Sequence, residues 1–433
     1  MTSVSAPSVI SSRTTTAQFS IVDLAAPAFV AIYVVLFFGP LALVFQPPGA
    51  VASVLFPVAG VVILALCPLD RVARIPISWA MASLVCWLMM SWFWTETEFS
   101  TEFQLRSQLP PLVILALVVG IMRPEVVVRT LVGTVVAVAV WTLGTSILLP
   151  MSRAAVLELG AAGNTEAQQG LRGTFGHKNQ MGIFMVFALC LVVAFVRSRA
   201  RPHLVVLCVG LIIGTRSATA GSGLFAVMFV GFWVAAISQQ RTARERTLLG
   251  LISIMSAATA ILLVVGVLPA ILDIYQKDLT FSGRTYIWAE TLESAAERPL
   301  HGYGFGGLWY DARSPTTADL WSRIGFPATH AHNGPIELTL QSGLVGLAFY
   351  LSLIVGVIAL SLFCFGDSRR VPYGQWGVLT IVALLLMSVS EPLFTGAQTG
   401  LVAIMWTVLA RTKNEALRAG AWRRRQQKIA STG

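Results

Sequence analysis

The sequence predicts an all-α polytopic membrane protein, with about twelve transmembrane helices and one larger extracytoplasmic loop between helices 9 and 10. Only 12% of its 433 residues are charged and 56% are hydrophobic. A soluble domain carries about 25% charged residues. The apolar residues also form runs of spanning length, and the cations are unevenly divided between the segments that connect them. This composition excludes an ordinary soluble domain.

Twelve hydrophobic segments are interpreted as spans, because a spanning helix needs about 20 mostly apolar residues. They cover residues 24–45, 50–69, 75–95, 109–122, 124–150, 179–197, 202–215, 217–238, 248–269, 335–364, 375–391 and 395–411. The membrane domain is therefore predicted over residues 24–411. Residues 1–23 are polar, lack the features of a signal peptide, and are predicted to form a disordered cytoplasmic tail. Residues 412–433 form a basic cytoplasmic tail.

The orientation follows from the division of Lys and Arg between the two sides. With both termini in the cytoplasm, 20 of the 30 cations and 6 of the 20 acids lie inside. The formal charge is then +14 inside and −4 outside. The basic C-terminal tail is interpreted as an anchor to lipid headgroups, so membrane lipids are expected partners and nucleic acid is not. The extracytoplasmic loop spans residues 270–334 and is long enough for a small subdomain.

Four cations on the predicted outer side have unusual settings. Arg216 lies in a tight turn of small residues, where it could meet an anionic ligand or extend to the lipid headgroups. Arg172 and Lys178 flank a glycine-bearing loop that could direct backbone N–H groups at an anion, or be an ordinary loop. Arg284 opens a polar helical stretch for which Ser282 is the expected N-cap.

Two other outer features are less specific. Arg323 is interpreted as a loop cation with no special setting. Residues 301–307 contain four glycines and two aromatic residues. They are interpreted as a flexible turn that suits a lid or a sugar contact, or as a loop that needs positive φ at several glycines.

The segment that begins at His330 is the best candidate for chemistry. Asn333 is predicted to cap the tenth span, with Pro335 in its first turn. His332 would then lie beside free N–H groups, where a neutral imidazole can accept a proton from a hydroxyl. Gly343 lies about three helical turns further on, where it permits close contact with a helix or a lipid. The alternatives are a histidine with only a structural hydrogen bond, or a metal site that includes His330.

These residues resemble the O-antigen ligase and polysaccharide polymerase superfamily of bacterial membrane glycosyltransferases. His332-Asn333, nine residues and then Gly343-Leu344-Val345-Gly346 are similar to its H-N-x9-G-x-x-G signature. The segments that begin at Gly283 and Pro299 resemble the part that precedes the signature in the family. The loop at 172–179 is similar to that of the exopolysaccharide-polymerase branch.

The resemblance implies a metal-independent enzyme without a cofactor, in the bacterial inner (plasma) membrane. Its donor would be an undecaprenyl-diphosphate-linked oligosaccharide and its acceptor a glycan. His332 would be the base, with Arg216 and Arg284 on the diphosphate. Residues that contact substrate would include Arg172, Lys178, His330, Asn333 and Gly343. Flippase and chain-length regulator proteins are candidate partners.

Several functions remain open at this point. A polymerase would join repeat units of exopolysaccharide or O-antigen, whereas a ligase would transfer a glycan to the lipid A core. His330 is an alternative base to His332. A transporter of small anions would instead carry charged residues deep inside its spans, for which Glu391 is the main candidate. A non-catalytic assembly scaffold would not need outward arginines beside a base.

Overall fold

The computed structural model describes residues 20–40, 42, 51–149, 170–239, 284–309 and 311–432, with isolated residues between 242 and 256. Over these residues the chain folds into helices, and none of them forms a β-strand. The all-α fold class is therefore confirmed.

Fourteen α-helices lie in the described part of the chain. They are α1 (Ile21–Phe37), α2 (Phe56–Ala65), α3 (Leu69–Val72), α4 (Trp79–Met90), α5 (Glu98–Ile121), α6 (Pro124–Leu148), α7 (Lys178–Phe195), α8 (Arg201–Gly214), α9 (Ala218–Ser238), α10 (Arg284–Glu297), α11 (Pro315–Ile324), α12 (Gly334–Cys364), α13 (Val371–Ser388) and α14 (Ala397–Thr432). Eleven of the twelve predicted spans coincide with one of these helices. The other, at 248–269, falls mostly outside the described residues.

Six of the described helices are long and apolar enough to cross a membrane, namely α5, α6, α7, α9, α12 and α13. Four further apolar helices of 10–17 residues contribute to the same bundle. The chain is therefore a multi-pass membrane protein, while the number of twelve spans remains a prediction. Helix α14 continues to Thr432, so the predicted basic tail is helical over its described length.

The start of α5 differs from the prediction. The predicted spans 75–95 and 109–122 leave residues 96–108 as a connection on the outer side, but the helix begins at Glu98 and runs unbroken to Ile121. Its first turns contain charged and polar residues, and the Glu102 carboxylate accepts from the Arg106 guanidinium at 3.0 Å, one helical turn away. Hydropathy therefore located only the apolar part of a longer helix.

The helix ends form two opposite faces of the bundle. At one face, the Arg71 guanidinium pairs with the Asp23 carboxylate of α1 at 2.7 Å. Nearby in the fold, Arg411 donates to the Gly120 carbonyl at the end of α5 at 3.1 Å. At the other face lie the starts of α5, α7, α9 and α12, together with His332. We call this second end the histidine face.

Residues 284–331 form a small subdomain on the histidine face. Its core is separate from that of the bundle, and includes Trp309, Leu320 and Ala331, each at most 1% exposed. Leu340 of α12 belongs to the same core, which joins the subdomain to the membrane helix. The expected compact loop domain therefore exists over its described residues.

Arg323 is not the ordinary loop cation that the sequence suggested. Its guanidinium donates to the Asp319 carboxylate at 3.0 Å, to Glu290 at 3.2 Å and to the Ser294 hydroxyl at 2.7 Å. It therefore joins α11 to α10. The interpretation from sequence was wrong because two of the partners, Glu290 and Ser294, lie about thirty residues away along the chain.

The glycine turn after α10 is not a flexible lid. Residues 302–308 are buried, and their backbone groups are paired with the bundle. The N–H of Phe305 donates to the Ser91 hydroxyl at 3.0 Å, and the carbonyl of Gly306 accepts from Ser100 at 3.0 Å. The glycines allow the chain to pack closely against α5 and the residues that follow α4.

Helix α12 is interrupted at Gly343, which has φ +65° and ψ −174°. Two internal hydrogen bonds are lost there, and the segment 299–304 replaces them. The carbonyls of Leu340 and Gln341 accept from the N–H groups of Tyr303 and Gly304, each at 2.9 Å. Beyond the break, the N–H of Leu344 donates to Pro299 at 2.8 Å. A β-carbon at position 343 would overlap the backbone of Leu300 and His301.

The orientation of the bundle can be tested with single cysteines. We propose that the histidine face is extracytoplasmic and that both termini are cytoplasmic, because of the +14 to −4 charge division. In a background without the five native cysteines, Ala312→Cys and Ala419→Cys place thiols at exposed positions on the two faces. An impermeant thiol reagent on intact cells should label position 312 and not 419. Labelling of 419 alone would reverse the orientation.

Candidate functional site

His332 lies at the centre of the site in a left-handed conformation, with φ +51°. Such a backbone costs a residue other than glycine about 1–3 kcal/mol, and persists only where its surroundings determine it. The peptide before it is held on both sides. The Trp288 indole donates to the Ala331 carbonyl at 3.0 Å, and the N–H of His332 donates to Nδ1 of His330 at 3.2 Å.

The two histidine side chains have different surroundings. Their ring centroids are 3.9 Å apart. Nδ1 of His330 accepts a backbone hydrogen bond, so that atom is already used. The side chain of His332 makes no hydrogen bond to any described residue, and its Nδ1 is buried. The imidazole of His332 is therefore not engaged in a hydrogen bond by any described residue, whereas that of His330 supports the backbone.

Both imidazoles are kept neutral by their environment. Burial lowers the pKa of His332 to about 3, with further contributions from the charges of His330, Arg284 and His177. Burial, followed by Arg284 and His177, lowers the pKa of His330 to about 4. A neutral imidazole can accept a proton, so both side chains are in the form that a base requires.

Asn333 caps helix α12, as predicted. Its side-chain oxygen accepts from the N–H of Ile336 at 3.1 Å, and Pro335 occupies the first turn. Its amide nitrogen donates in addition to the Val389 carbonyl at 3.1 Å. The positive end of the α12 dipole therefore begins next to His332 and is fixed to the end of α13.

Three residues that follow α13 connect the site, and we call Val389, Ser390 and Glu391 the acidic corner. Arg284 donates to the Ser390 carbonyl at 2.7 Å, and its second nitrogen lies 3.4 Å from the Glu391 carboxylate. The same carboxylate oxygen accepts from the Asn179 amide at 2.7 Å. Helices α7, α10 and α12 therefore meet at the corner.

Helix α9 joins the same corner through Thr219, whose hydroxyl is 2.8 Å from the Ser390 hydroxyl. The turn before this helix carries Arg216. Arg216 is exposed, has φ +51°, and its side chain pairs with no described residue. Among the described residues, Arg216 and His332 are the two with positive φ that are not glycine. Both are predicted functional residues, and both lie at the histidine face.

The loop with Arg172 and Lys178 packs against the Arg216 turn. The N–H of Leu171 donates to the Gly214 carbonyl at 2.8 Å, and Lys178 is buried in the first turn of α7. His177 caps that helix by accepting from the N–H of Asn179 at 3.1 Å. Two of the loop N–H groups, those of Leu171 and Phe175, are paired inside the protein. The candidates for contact with an anion are therefore the side chains of Arg172 and Lys178 and the start of α7, rather than these two N–H groups.

The structure thus brings most of the predicted residues to one corner and separates one. Arg284 and Asn333 bind the acidic corner directly, whereas His330 and His332 lie beside Asn333 along the chain and near the charge of Arg284. Arg216 is connected to the corner through α9, and the loop with Arg172 and Lys178 is connected through α7. Gly343 lies apart, at the break where α12 receives the segment 299–304. The predicted cap Ser282 lies outside the described residues.

The sequence did not assign a role to three members of the site. Asn179 and His177 were only parts of the glycine loop, and Glu391 was noted as a charge that a transporter would need. Glu391 lies just after α13, paired with Arg284 and Asn179, rather than within a span. Over the described ranges, no three His, Cys, Asp or Glu side chains are grouped to hold a metal ion.

Two known groups of proteins are similar to parts of this chain. The O-antigen ligase family matches residues 202–351, which include Arg216, Arg284, both histidines and Gly343. The exopolysaccharide production protein ExoQ of Rhizobium meliloti (strain 1021) is 26% identical over 251 residues. That alignment covers 52% of this chain and 55% of ExoQ, so it spans about half of each protein. Both similarities support the superfamily of O-antigen ligases and of O-antigen and exopolysaccharide polymerases.

Proposed function

We propose that this protein is a glycosyltransferase that polymerises exopolysaccharide or O-antigen repeat units. The donor would be a glycan on undecaprenyl diphosphate, and the acceptor a sugar hydroxyl of a second repeat unit. The observation that carries the proposal is that His332 directly precedes the start of α12, which Asn333 ties to the acidic corner, and lies near Arg284, which binds the same corner. A proton acceptor there lies beside groups that attract an anion.

In the proposed reaction, His332 takes the proton of the acceptor hydroxyl. The hydroxyl oxygen then attacks the anomeric carbon of the donor, and the bond from that carbon to the diphosphate oxygen breaks. The electron pair leaves with undecaprenyl diphosphate. Attack opposite the leaving group inverts the anomeric centre. The proton on His332 returns to the medium when the product leaves.

Positive charge would stabilise the leaving diphosphate. Arg284 uses two of its nitrogens at the acidic corner, which fixes the plane of its guanidinium while leaving further N–H groups for a ligand. Arg216 is exposed and has no partner among the described residues. Arginine binds phosphate oxygens in a bidentate manner, so the two residues suit the two phosphates. These charges would allow the reaction to proceed without a metal ion.

The low pKa of His332 has a consequence for this reaction. In the free protein, nearby positive groups and burial make the imidazole a weak base. A bound diphosphate brings negative charge close to the ring, which favours the protonated form and raises the pKa. The base would therefore become stronger when the donor is bound.

A ligase is the second candidate, because the family match carries that description. The glycans of a strain without this protein distinguish the two. Single repeat units left on the lipid carrier, with loss of long chains, indicate a polymerase. Full-length chains that stay on the lipid carrier indicate a ligase.

The proposed base can be tested by transfer from donor extracted from the deletion strain. His332→Ala should reduce kcat by about 10²–10⁴-fold, which is the usual contribution of general-base catalysis. His330→Ala should cause a smaller loss, because it removes a support of the backbone. His203→Ala, an exposed change at the opposite end of the bundle, serves as the control. Normal turnover by the His332 variant would exclude the mechanism.

The arginines can be tested by replacements that retain charge. Arg284→Lys and Arg216→Lys should each slow transfer about 10- to 100-fold, because lysine cannot make planar bidentate contacts with phosphate. Alanine should be worse at both sites. Arg313 is exposed, and its side chain pairs with no described residue, so Arg313→Lys is the matched control. Assays with excess chelator test whether the arginines or a metal ion stabilise the leaving group. Loss of wild-type activity on chelation would show that a metal ion stabilises the leaving group.

The pH dependence offers an independent test. An imidazole with a pKa of about 6.5 would lose about tenfold in its neutral fraction by pH 5.5. Because the pKa of His332 in the free protein is about 3, kcat/KM should stay nearly constant from pH 7.5 to 5.5. The acid limb of kcat should lie at higher pH than that of kcat/KM, since bound donor raises the pKa. A tenfold fall of kcat/KM by pH 5.5 would contradict this electrostatic account.

A further inference from the structure

A carboxyl group that the proposed reaction does not use lies directly behind the histidine turn. Glu337 is in the first turn of α12 and is 2% exposed. One of its oxygens accepts from the N–H of Ala331 at 2.6 Å. The other accepts from the side-chain amide of Gln341, one helical turn further on. A buried carboxyl group whose two oxygens both accept hydrogen bonds fixes the positions of the groups that donate to it.

The Ala331 peptide units are held from two directions. Glu337 binds the N–H of Ala331, and the Trp288 indole donates to its carbonyl at 3.0 Å. The side chain of Ala331 is fully buried in the core of the subdomain. The backbone that enters His332 therefore has little freedom, which is the condition for a left-handed residue other than glycine.

Gln341 extends this support to the glycine turn. Its side-chain oxygen accepts from the N–H of Gly306 at 3.1 Å. An N–H can only donate, so the oxygen of the amide must face Gly306 and the nitrogen must face Glu337. Glu337 and Gln341 thus connect the backbone before His332 to the buried turn at 302–308.

We propose that Glu337 is a positioning residue for His332. It acts through the Ala331 backbone and touches neither substrate nor leaving group. This inference rests on the proposed role of His332 as the base. A misplaced base slows the chemical step more than it weakens donor binding. Loss of the Glu337 contacts should therefore lower kcat and leave KM nearly unchanged.

An exchange of the two side chains tests the proposal. In Glu337→Gln the side chain keeps one acceptor oxygen, whereas Glu337 uses two, one for the N–H of Ala331 and one for the amide of Gln341. If the Gln341 amide turns to present its oxygen to the new amide, it no longer accepts from Gly306. Either Gln341 or Gly306 therefore loses its partner. The kcat of Glu337→Gln should fall about 10- to 100-fold. In the double variant Glu337→Gln with Gln341→Glu, the new glutamine accepts from Ala331 and donates to the new glutamate. That glutamate can also accept from Gly306, so all three hydrogen bonds return and most of the lost kcat should be recovered.

A control and a second background separate positioning from general stability. Glu290→Gln changes another partly buried glutamate of the subdomain, which binds Arg323 at 3.2 Å but does not contact Ala331. It should leave kcat near normal, and thermal unfolding in detergent should report any loss of stability. In the His332→Ala background, Glu337→Gln should add little to the loss, because the two changes act on one step.

The outcomes distinguish this inference from the proposed function. Normal activity of His332→Ala excludes the base and leaves Glu337 nothing to position. If His332→Ala is inactive but Glu337→Gln turns over normally, or if the exchanged pair recovers nothing, Glu337 is not a positioning residue. Should Glu337→Gln fail to accumulate, Trp288→Phe removes the hydrogen bond on the other side of Ala331. A kcat-selective loss in that variant supports the proposal, and normal kcat overturns it.

Discussion

The site depends on a short polar segment at the end of a membrane helix. Val389, Ser390 and Glu391 receive hydrogen bonds from Asn333 and Arg284, and Glu391 also accepts from Asn179. A carboxylate near a membrane boundary is costly unless it is paired. Here one carboxylate satisfies a cation and an amide from two different helices. The requirement to pair Glu391 therefore brings together the elements that carry the candidate catalytic groups, and fixes the guanidinium of Arg284 beside the histidines.

Backbone strain and electrostatics both prepare the histidine face for an anionic ligand. His332 and Arg216 both have φ +51°, at an estimated cost of about 1–3 kcal/mol each. The neighbouring packing must offset that cost, and it thereby fixes the backbone from which each side chain projects. Burial and nearby cations lower the pKa of both His330 and His332. The site is thus rigid and electropositive when empty, which reduces the reorganisation that an anionic ligand would require.

The sequence predicted the spans and the helix cap well, because both depend on local patterns. The composition of a span and the Asn333-x-Pro335 start are readable over a few residues. The partners of Arg323 and Glu391 could not be read, since they lie about thirty to two hundred residues away along the chain. Hydropathy also missed the charged start of α5, where polar residues and an ion pair rather than an apolar run continue the helix. The signature correctly marked Gly343 as special, but not the reason, which is a break rather than a helical face.

The break at Gly343 links the membrane helix to the subdomain that precedes it in the chain. The carbonyls of Leu340 and Gln341 find their donors in Tyr303 and Gly304, not in the next turn of α12. Backbone groups left unpaired within a bilayer cost several kcal/mol each. Residues 299–304 lie outside α12, so the hydrogen bonds at the break form only when this upstream segment and the helix have come together. The membrane helix is therefore not self-sufficient in backbone hydrogen bonds, and its continuity depends on a segment that contributes no span of its own.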